Sequence, residues 1–539
     1  MNLPPIKWPL AVPLLAAMTL PVISRRMVPP YLAAVVSGVL LALAYPPVSQ
    51  GAFCFIAFVP VVVTLYRGSY RKAEFFRAGY LFGVTFFLAH LWWIVRLLPA
   101  SSITMPWLMV PALIVLVAYL SVYPALFFLL LRVIGRSYWS VLWLIGPGAW
   151  TLLEWIRSNG ELGFPWAAIG YSLAREPVMM QGASVIGVTG LGAFVVLVNM
   201  IVSTALLSKE ATTKTAWIAV ALIMLFLGGL YGKREMNRVD SLLNGEGHTV
   251  AVVQPNVDLA LKWKPEFTDS TFLLIERLTR QAALSEPGVV VFPETCAPVY
   301  LRYDNKYRPR METLARDTGV SVLIGYLDGR YDGPDGSLNV FNSACLITPQ
   351  SRFWSYDKMH LLPFGEAIPF AWKFPWLSKI NFGQANFTPG PDIEPFESSV
   401  GRLGPLICFE SIFPEISRGF VRRGADVLVN VTNDGWFGDT PGPFQHNDMA
   451  ILRAVENRRF LVRSANTGIS MFVDPVGRVK SALGLDREGV LVDTIHVVSE
   501  TTFYTRHGDT PVLVVMAAAL IAGGVFADRR RRASRLDAV

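Results

Sequence analysis

Long apolar stretches decide what this chain can fold into, because a helix that crosses the hydrocarbon core of a bilayer needs about 20 apolar residues. Such stretches fill the first 231 residues and return once near the C-terminus. We predict eight membrane spans, at 31–48, 52–66, 79–98, 105–131, 140–155, 185–207, 215–231 and 511–527. A further apolar stretch at 8–23 is an uncleaved signal-like segment, a re-entrant piece or a ninth span.

Lysine and arginine residues between these stretches predict the orientation of the spans. The basic clusters lie at 25–26, 67–77, 132–136, 209–214 and 529–535. Counted along the predicted spans, every cluster falls on the same side, which the positive-inside rule assigns to the cytoplasm. The C-terminus is then cytoplasmic, and the loops at 49–51, 99–104 and 156–184 face outward together with the region 232–509.

Charged residues are unevenly distributed, and this predicts the domain organisation. Only 16% of all residues are charged, against about 25% in an ordinary soluble domain. The deficit lies in the apolar part, whereas 232–509 has the composition of a globular protein. We divide the chain into an N-terminal extension with an apolar segment (1–30), a transmembrane helical domain of about seven spans (31–231), an outward-facing catalytic domain (232–509), and a C-terminal transmembrane helix with a basic tail (510–539).

Charge and cysteine usage exclude several classes of function. The net charge of +8 does not indicate a nucleic-acid partner, because membrane topology explains the basic residues. The four cysteines have no CxxC spacing and the six histidines are scattered, so neither a disulfide framework nor a metal site is predicted. We expect any catalysis to depend on side chains alone, without a metal or cofactor.

Between 246 and 505 the pattern changes to short β-rich runs that alternate with amphipathic helices, which is typical of an α/β layered domain. The predicted strands are 249–253, 289–292, 321–325, 341–347, 403–409, 427–432, 461–465 and 469–473. The predicted helices are 268–285, 308–318, 412–423 and 445–460.

Three apolar strands end in a reactive side chain, namely Glu294, Lys358 and Cys408. Active sites of α/β domains collect at strand ends. A carboxylate there can take the thiol proton as a general base, and a lysine ammonium can stabilise the thiolate and an oxyanion. The backbone N–H of Phe409 is a candidate second oxyanion donor. Such a set favours acyl transfer or C–N hydrolysis through a thioester.

The residues alone leave alternatives open. Cys408 could be an inert core residue, as cysteines in apolar strands often are. Cys296 lies two residues from Glu294 and competes as nucleophile, and His360 and His446 are candidate general bases.

Three features of the membrane half are also open to more than one interpretation. Glu154 and Arg157 are either a functional pair or a plain ion pair at the edge of a span. Trp92, Trp93 and Arg96 indicate an interfacial belt. The loop at 156–184, rich in Gly, Pro and aromatic residues, suits a membrane–water interface.

The local sequences FPET at 292–295, KMHLLPFGE at 358–366, CFE at 408–410 and TNDGWFG at 432–438 resemble the nitrilase (carbon–nitrogen hydrolase) superfamily. Together with GFPW at 163–166 and GYS at 170–172, they resemble more specifically the apolipoprotein N-acyltransferase family. That family joins a nitrilase-like domain of αββα layers to a multi-span membrane domain. The resemblance covers the whole chain except roughly its first 30 residues.

The resemblance implies a role for each matching residue. Glu294 would be the general base, Lys358 the oxyanion stabiliser and Cys408 the acyl-accepting nucleophile. The supporting positions would be Glu366, which orients the lysine or assists proton transfer, Glu410, which supports the pocket, and Trp263, on an arm near the site. The sequence departs from the pattern at Phe409, where some members carry tyrosine, and in the extra segment 8–23.

The resemblance also implies a reaction. A phospholipid, with phosphatidylethanolamine as the expected donor, would pass an acyl chain to Cys408, and the thioester would acylate the α-amine of the diacylglyceryl-cysteine of an apolipoprotein. The protein would be a monomer in the bacterial inner membrane with its catalytic domain in the periplasm. The alternative hypothesis is a membrane-tethered amidase or nitrilase for small C–N substrates. A transporter or receptor is disfavoured, because the spans carry few charges and show no pair of broken helices.

Overall fold

The computed structural model describes residues 30–97, 108–135, 138–243, 245–332, 336–371, 373–374, 376–377 and 385–536. The predicted segment 8–23 lies outside these ranges. Within them, the chain forms a helical half and a half with two β-sheets, joined by a seam of buried polar and aromatic side chains.

Every predicted membrane span overlaps a helix of the described residues. The helices are α1 (Pro30–Ala42), α2 (Val59–Arg67), α3 (Lys72–Leu91), α4 (Met109–Gly135), α5 (Leu142–Ser158), α6 (Ala183–Leu207) and α7 (Ala211–Leu242), with α13 (Thr510–Leu536) at the C-terminal end. Five helical segments of the described residues are long and apolar enough to cross a membrane: Lys72–Arg96, Met109–Gly135, Met179–Leu207, Ala211–Leu242 and Thr510–Ala533. The membrane character is therefore confirmed, while the number and direction of the crossings stay predictions.

The helices α3 and α4 pack closely because small residues line their contact. A Cβ on Gly79 would lie 2.6 Å from the Pro124 carbonyl, and one on Gly83 would lie 2.9 Å from the Ser121 Cα. Such glycines let two backbones approach, which is how apolar helices gain packing energy in a membrane.

The half with two β-sheets contains twelve of the described strands. The first has strands β1 (Gly247–Gln254), β2 (Val289–Val291), β3 (Ala297–Tyr300), β4 (Ser321–Arg330), β5 (Asn339–Ile347), β6 (Phe353–Asp357) and β12 (Gly489–His496). Their order is β12-β1-β2-β4-β5-β6, with β3 beside β4. The second has β7 (Leu403–Ile407), β8 (Val427–Thr432), β9 (Phe460–Ala465), β10 (Ser470–Val473) and β11 (Val479–Leu483), in the order β11-β10-β9-β8-β7.

Alternation along the strands determines the layers. In β1, Val250 and Val252 join the core that the two sheets share, whereas Ala251 and Val253 join a second core. That second core contains the apolar faces of α9 (Thr268–Ala283) and α10 (Tyr307–Thr318). Helices α11 (Pro414–Arg422) and α12 (Pro441–Asn457) cover the other sheet. Side chains that alternate between two apolar faces require cover on both sides, and the predicted αββα architecture is confirmed.

The sequence misplaced some element ends for local reasons. The predicted strand 403–409 ends at Ile407, because Cys408 turns into a 3₁₀ helix, Cys408–Ile412. The helix predicted at 445–460 begins at Pro441 instead. The Thr440 side chain accepts the Gly442 N–H at 3.2 Å and caps the helix there. Strands β3, β11 and β12 were not predicted, and β6 was predicted only as the strand end at Lys358. Much of β11 and β12 is exposed, so their apolar alternation is weak.

The loop at 156–184 packs against the half with two β-sheets, and its position at a membrane–water interface stays a prediction. All residues from 165 to 174 are buried. The Trp166 Nε1–H donates to the Gln445 Oε1 at 2.9 Å, and Trp93 Nε1–H donates to the same oxygen at 3.0 Å. Trp93 is thus a buried seam residue rather than part of an interfacial belt, because α12 offers its indole an acceptor. Trp92 is exposed.

Glu154 and Arg157 form a buried ion pair at 3.3 Å within α5. Arg157 also donates to the Phe164 and Trp166 carbonyls, both at 3.0 Å. Of the two interpretations of this pair, the structure favours the ion pair, which holds the buried loop to its helix.

A break in α6 forms the second part of the seam. Gly187 has φ 63° and ψ 179°, a backbone conformation that is essentially restricted to glycine. The break frees the Val188 N–H, which donates to the Glu456 Oε1 of α12 at 3.0 Å. Glu456 also pairs with Arg453 at 2.8 Å, and both side chains are fully buried. The membrane half therefore supplies a hydrogen-bond donor that the buried carboxylate of the other half requires.

We expect Gly187→Ala to destabilise the folded protein. The backbone conformation alone costs about 1–3 kcal/mol for alanine, and the new Cβ would lie 2.3 Å from the Tyr504 ring. The thermal unfolding midpoint of the purified protein in detergent should fall. Gly229→Ala in α7 is the matched control, since its Cβ meets nothing within 4 Å. Equal thermal unfolding midpoints for Gly187→Ala and Gly229→Ala would contradict the conclusion that the break in α6 requires glycine at 187.

Candidate active site

Glu294 lies on the loop that follows β2, and this loop is held tightly against β4. The Gly325 N–H donates to the Pro293 carbonyl at 3.1 Å. A Cβ on Gly325 would lie 2.4 Å from the Thr295 nitrogen, so only glycine permits this approach. Thr295 has φ 45°, which turns the backbone sharply just after Glu294.

Lys358 follows β6 and is buried between two carboxylates. Its Nζ lies 2.9 Å from Glu366 Oε1 and 3.6 Å from Glu294 Oε1. Burial opposes the charge, but Glu366 and Glu294 outweigh it and raise the pKa of Lys358 well above its ordinary value. The side chain is therefore a fixed cation at neutral pH, the state that can stabilise an oxyanion.

Asn342 connects the two carboxylates, and no motif in the sequence marks it. Its Nδ2 donates to Glu294 Oε1 at 2.7 Å and to Glu366 Oε1 at 2.9 Å. The Leu362 N–H donates to the other oxygen of Glu366 at 2.7 Å. These donors fix the orientation of both carboxylates around the lysine.

Cys408 stands at a sharp turn where β7 ends. Its φ is 50°, a conformation that is uncommon for a residue with a side chain and is often found at functional sites. The thiol is within electrostatic reach of Glu294 and Lys358. Burial and Glu294 raise the pKa of Cys408, and Lys358 opposes the shift. The resting group is thus a thiol, and a nucleophile forms only when a base removes its proton.

Glu410 connects the nucleophile turn to the segment that carries Lys358. Its fully buried carboxylate accepts four hydrogen bonds, from the N–H groups of Ile407 (2.8 Å), Met359 (2.7 Å) and His360 (3.3 Å) and from the Tyr356 hydroxyl (2.8 Å). Burial raises the pKa of Glu410 to about 7. The geometry is that of a positioning residue, which agrees with the predicted supporting role.

A buried polar network supports the other side of the turn. His446 places Nε2 3.2 Å from the Cys408 carbonyl oxygen and 2.9 Å from Ser411 Oγ, while its Nδ1 lies 2.9 Å from Asp434 Oδ1. Arg463 donates to the second Asp434 oxygen at 2.6 Å. Burial opposes ionisation of Asp434, but Arg463 and His446 lower the pKa of that carboxyl. His446 contacts the nucleophile's backbone, so its geometry fits a support better than a general base.

The remaining predicted residues lie around this centre. Phe409 is buried against Phe413, and its N–H belongs to the first turn of a 3₁₀ helix, where intrahelical acceptors are lacking. Trp263 is 40% exposed and follows α8 (Leu259–Lys262). The ring of His360 packs on Phe413. Cys296 is buried, which raises its pKa to about 12.

Sequence reasoning missed several residues of the site, among them Asn342, Asp434, Arg463 and Lys262. Asn342 lies inside a strand without a motif, and Lys262 is buried and donates to the Glu294 carbonyl. The quoted TNDGWFG segment could have suggested Asp434, and the neighbouring Trp263 could have suggested Lys262. In the described residues no group of three or more His, Cys, Asp or Glu side chains is arranged to hold a metal ion.

We expect iodoacetamide to alkylate Cys408 much faster than the other three thiols of the folded protein. Cys408 is partly exposed, whereas Cys54, Cys296 and Cys345 are buried. Peptide mass spectrometry of the full-length protein in detergent measures the four labelling rates, and the same measurement in denaturant is the control. Faster labelling of Cys296 would reverse the assignment of the nucleophile.

Known protein families match both halves of the chain. The family model described as carbon–nitrogen hydrolase matches residues 249–503, and the model described as apolipoprotein N-acyltransferase N-terminal domain matches residues 37–201. Among solved structures, an amidase from Nesterenkonia sp. is similar, with 22% identity, a TM-score of 0.37, and coverage of 50% of this chain and 96% of the amidase.

Full-length relatives share both halves in one chain. The apolipoprotein N-acyltransferase of Geobacter metallireducens is 36% identical over 507 residues, which cover 93% of this chain and 96% of the relative. That of Brucella melitensis is 32% identical over 528 residues, covering 93% and 96%. That of Chlorobaculum tepidum is 31% identical over 539 residues, covering 94% and 98%. The resemblance predicted from the motifs is confirmed, and the chain belongs to the apolipoprotein N-acyltransferase family, with a catalytic half of the carbon–nitrogen hydrolase fold.

Proposed function

We propose that this protein transfers an acyl chain from a phospholipid to the N-terminal α-amine of diacylglyceryl-cysteine in apolipoproteins, through a thioester on Cys408. The observation that carries the proposal is the convergence of a thiol, a carboxylate and a fixed ammonium at one strand-end site. The relatives named apolipoprotein N-acyltransferase support the choice of substrates.

The first half-reaction forms the thioester. Glu294 takes the Cys408 proton as Sγ attacks the sn-1 ester carbonyl, and the oxyanion is stabilised by the Lys358 ammonium and the Phe409 N–H. The tetrahedral intermediate collapses, the ester C–O bond breaks, and Glu294 returns the proton to the departing lysophospholipid. Phosphatidylethanolamine is the proposed donor.

The second half-reaction uses the same groups in reverse. The α-amine of the diacylglyceryl-cysteine attacks the thioester carbonyl and gives up a proton to Glu294. The C–S bond breaks, the amide remains on the apolipoprotein, and Cys408 recovers its proton. Two substrates that use one site in turn predict ping-pong kinetics.

The joined architecture supports lipid substrates. The buried indoles of Trp93 and Trp166 and the half-buried ring of Phe437 connect the helical half to His446, which contacts the Cys408 backbone. A site attached to membrane helices can meet esters and amines that are anchored by acyl chains. The basic clusters support an inner-membrane protein with a periplasmic catalytic domain and a cytoplasmic C-terminus, and we propose that it acts as a monomer.

The second candidate is a membrane-tethered amidase or nitrilase, which the carbon–nitrogen hydrolase match favours. It would act on small C–N substrates without lipid. It leaves the helical half unexplained, because a single anchor would suffice.

Replacement of Cys408 by alanine should abolish the acyl adduct. Intact-protein mass spectrometry after incubation with phosphatidylethanolamine should show a mass gain of one acyl chain in the wild type, discharged by a diacylglyceryl peptide. Cys296→Ala is the matched control and should keep the adduct. An adduct that survives Cys408→Ala, or lipid-free turnover of a small amide with no adduct, would contradict the proposal.

Asn342→Leu should slow thioester formation by about 100-fold or more, because hydrogen bonds to charged groups contribute about 1.5–3 kcal/mol each and two are lost. Stopped incubations followed by mass spectrometry measure the rate. Asn339→Leu, on the same strand and bonded to Asp332 at 2.8 Å, is the control. An unchanged rate of thioester formation in Asn342→Leu would show that the hydrogen bonds from Asn342 are not needed to orient the two carboxylates.

A further inference from the structure

Lys262 is a buried cation beside the site that the proposed mechanism does not use. It ends the short helix α8, which Asp258 caps by accepting the Ala260 N–H at 2.8 Å. Its side chain points inward and is only 3% exposed, whereas Lys264, two residues later, is exposed. Lysine is rarely buried to this degree without a partner that repays its desolvation.

The partners of Lys262 belong to the turn that carries Glu294. Its Nζ donates to the Glu294 carbonyl oxygen at 3.1 Å and to Thr295 Oγ1 at 2.5 Å. Both acceptors are uncharged. Lys358, by contrast, has two carboxylates within 4 Å. Among the described residues, no carboxylate lies within such a distance of Lys262.

The charge of Lys262 therefore acts at longer range. The acidic groups that face it are Glu294 and Cys296 on the loop after β2 and Cys408 at the nucleophile turn. Burial lowers the pKa of Lys262 to about 8, and these groups oppose the shift. The side chain is thus mostly cationic at pH 7 and loses its charge above about pH 8.

We propose that Lys262 is a positioning residue for the acyl transfer, which clamps the Glu294–Thr295 turn and places a second positive charge behind the base and the thiol. The inference rests on the proposed function. The clamp holds Thr295 at its positive φ and so aims the Glu294 carboxylate at Lys358. The charge favours the thiolate of Cys408 over its thiol.

The same residue connects the base to Trp263. The Lys262 Nζ lies 5.5 Å from the centre of the Trp263 ring, within the range of a cation–π contact. Trp263 is the exposed neighbour on the same segment. A substrate that moves Trp263 would thereby act on Lys262 and, through its two hydrogen bonds, on the turn that holds Glu294.

A purely structural clamp and a charged one differ in their pH dependence. Lys262→Gln keeps a hydrogen-bond donor and removes the charge, and Lys262→Arg keeps a charge at every pH tested. The rate of Cys408 alkylation by iodoacetamide follows its thiolate fraction. One unit of thiol pKa corresponds to a tenfold change in this rate below the pKa.

The experiment measures this rate in the full-length protein between about pH 6.5 and 9.5, a range that includes the titration of Lys262. Wild type should react about tenfold faster than Lys262→Gln at pH 7. The ratio of the wild-type rate to the Lys262→Gln rate should fall towards one above about pH 9. At that pH Lys262 of the wild type has lost the charge that the variant lacks at every pH. Lys264→Met is the matched control and should follow wild type throughout.

If the ratio of the two alkylation rates does not change with pH, Lys262 acts only through its hydrogen bonds, and the proposal is overturned. The elution volume and thermal midpoint of Lys262→Gln show whether it folds. If it does not fold, Lys262→Arg tests the proposal instead. Its alkylation rate should exceed that of wild type increasingly above about pH 8, because arginine keeps its charge. Equal pH profiles of Lys262→Arg and wild type would overturn the proposal as well.

Alkylation needs no lipid, so the two proposals fail separately. A pH-dependent ratio without an acyl adduct in the wild type would refute the transfer reaction and leave the charge effect intact. An acyl adduct with a constant ratio would refute the role of Lys262 and leave the transfer reaction intact.

Discussion

Buried charge needs compensation, and the active site is organised around this constraint. Lys358 can stay protonated in the interior because Glu294 and Glu366 lie beside it. Those carboxylates in turn need donors, which Asn342 and the Leu362 backbone supply. Removal of any member would take a partner from at least one buried charged group of the set.

The same constraint holds the nucleophile in place. Glu410 is inaccessible to substrate, yet its four hydrogen bonds fix the distance between the turn of Cys408 and the segment of Lys358. On the opposite side, Asp434, His446 and Arg463 hold the Cys408 backbone. A strained φ at Cys408 persists because the surroundings determine it from both sides.

Buried polar groups in the seam between the two halves also have hydrogen-bond partners. Gln445 accepts from Trp93 and Trp166 and donates to the His90 carbonyl at 3.0 Å. Glu456 accepts the N–H that the break at Gly187 releases. These contacts make the helical half part of the support of α12, which carries His446, so the membrane helices and the reactive turn belong to one packed structure.

The membrane character, the αββα class and the strand-end positions of Glu294, Lys358 and Cys408 could be predicted from the sequence, because apolar length, alternation and motifs are local signals. The partners of these residues could not be predicted. Asn342, Lys262 and the seam residue Gln445 lie far along the chain from the groups they contact, and their hydrogen bonds exist only once the two sheets and the helical half have packed. Trp93 illustrates the difference: its sequence context suits a membrane interface, but a distant acceptor makes it a buried contact.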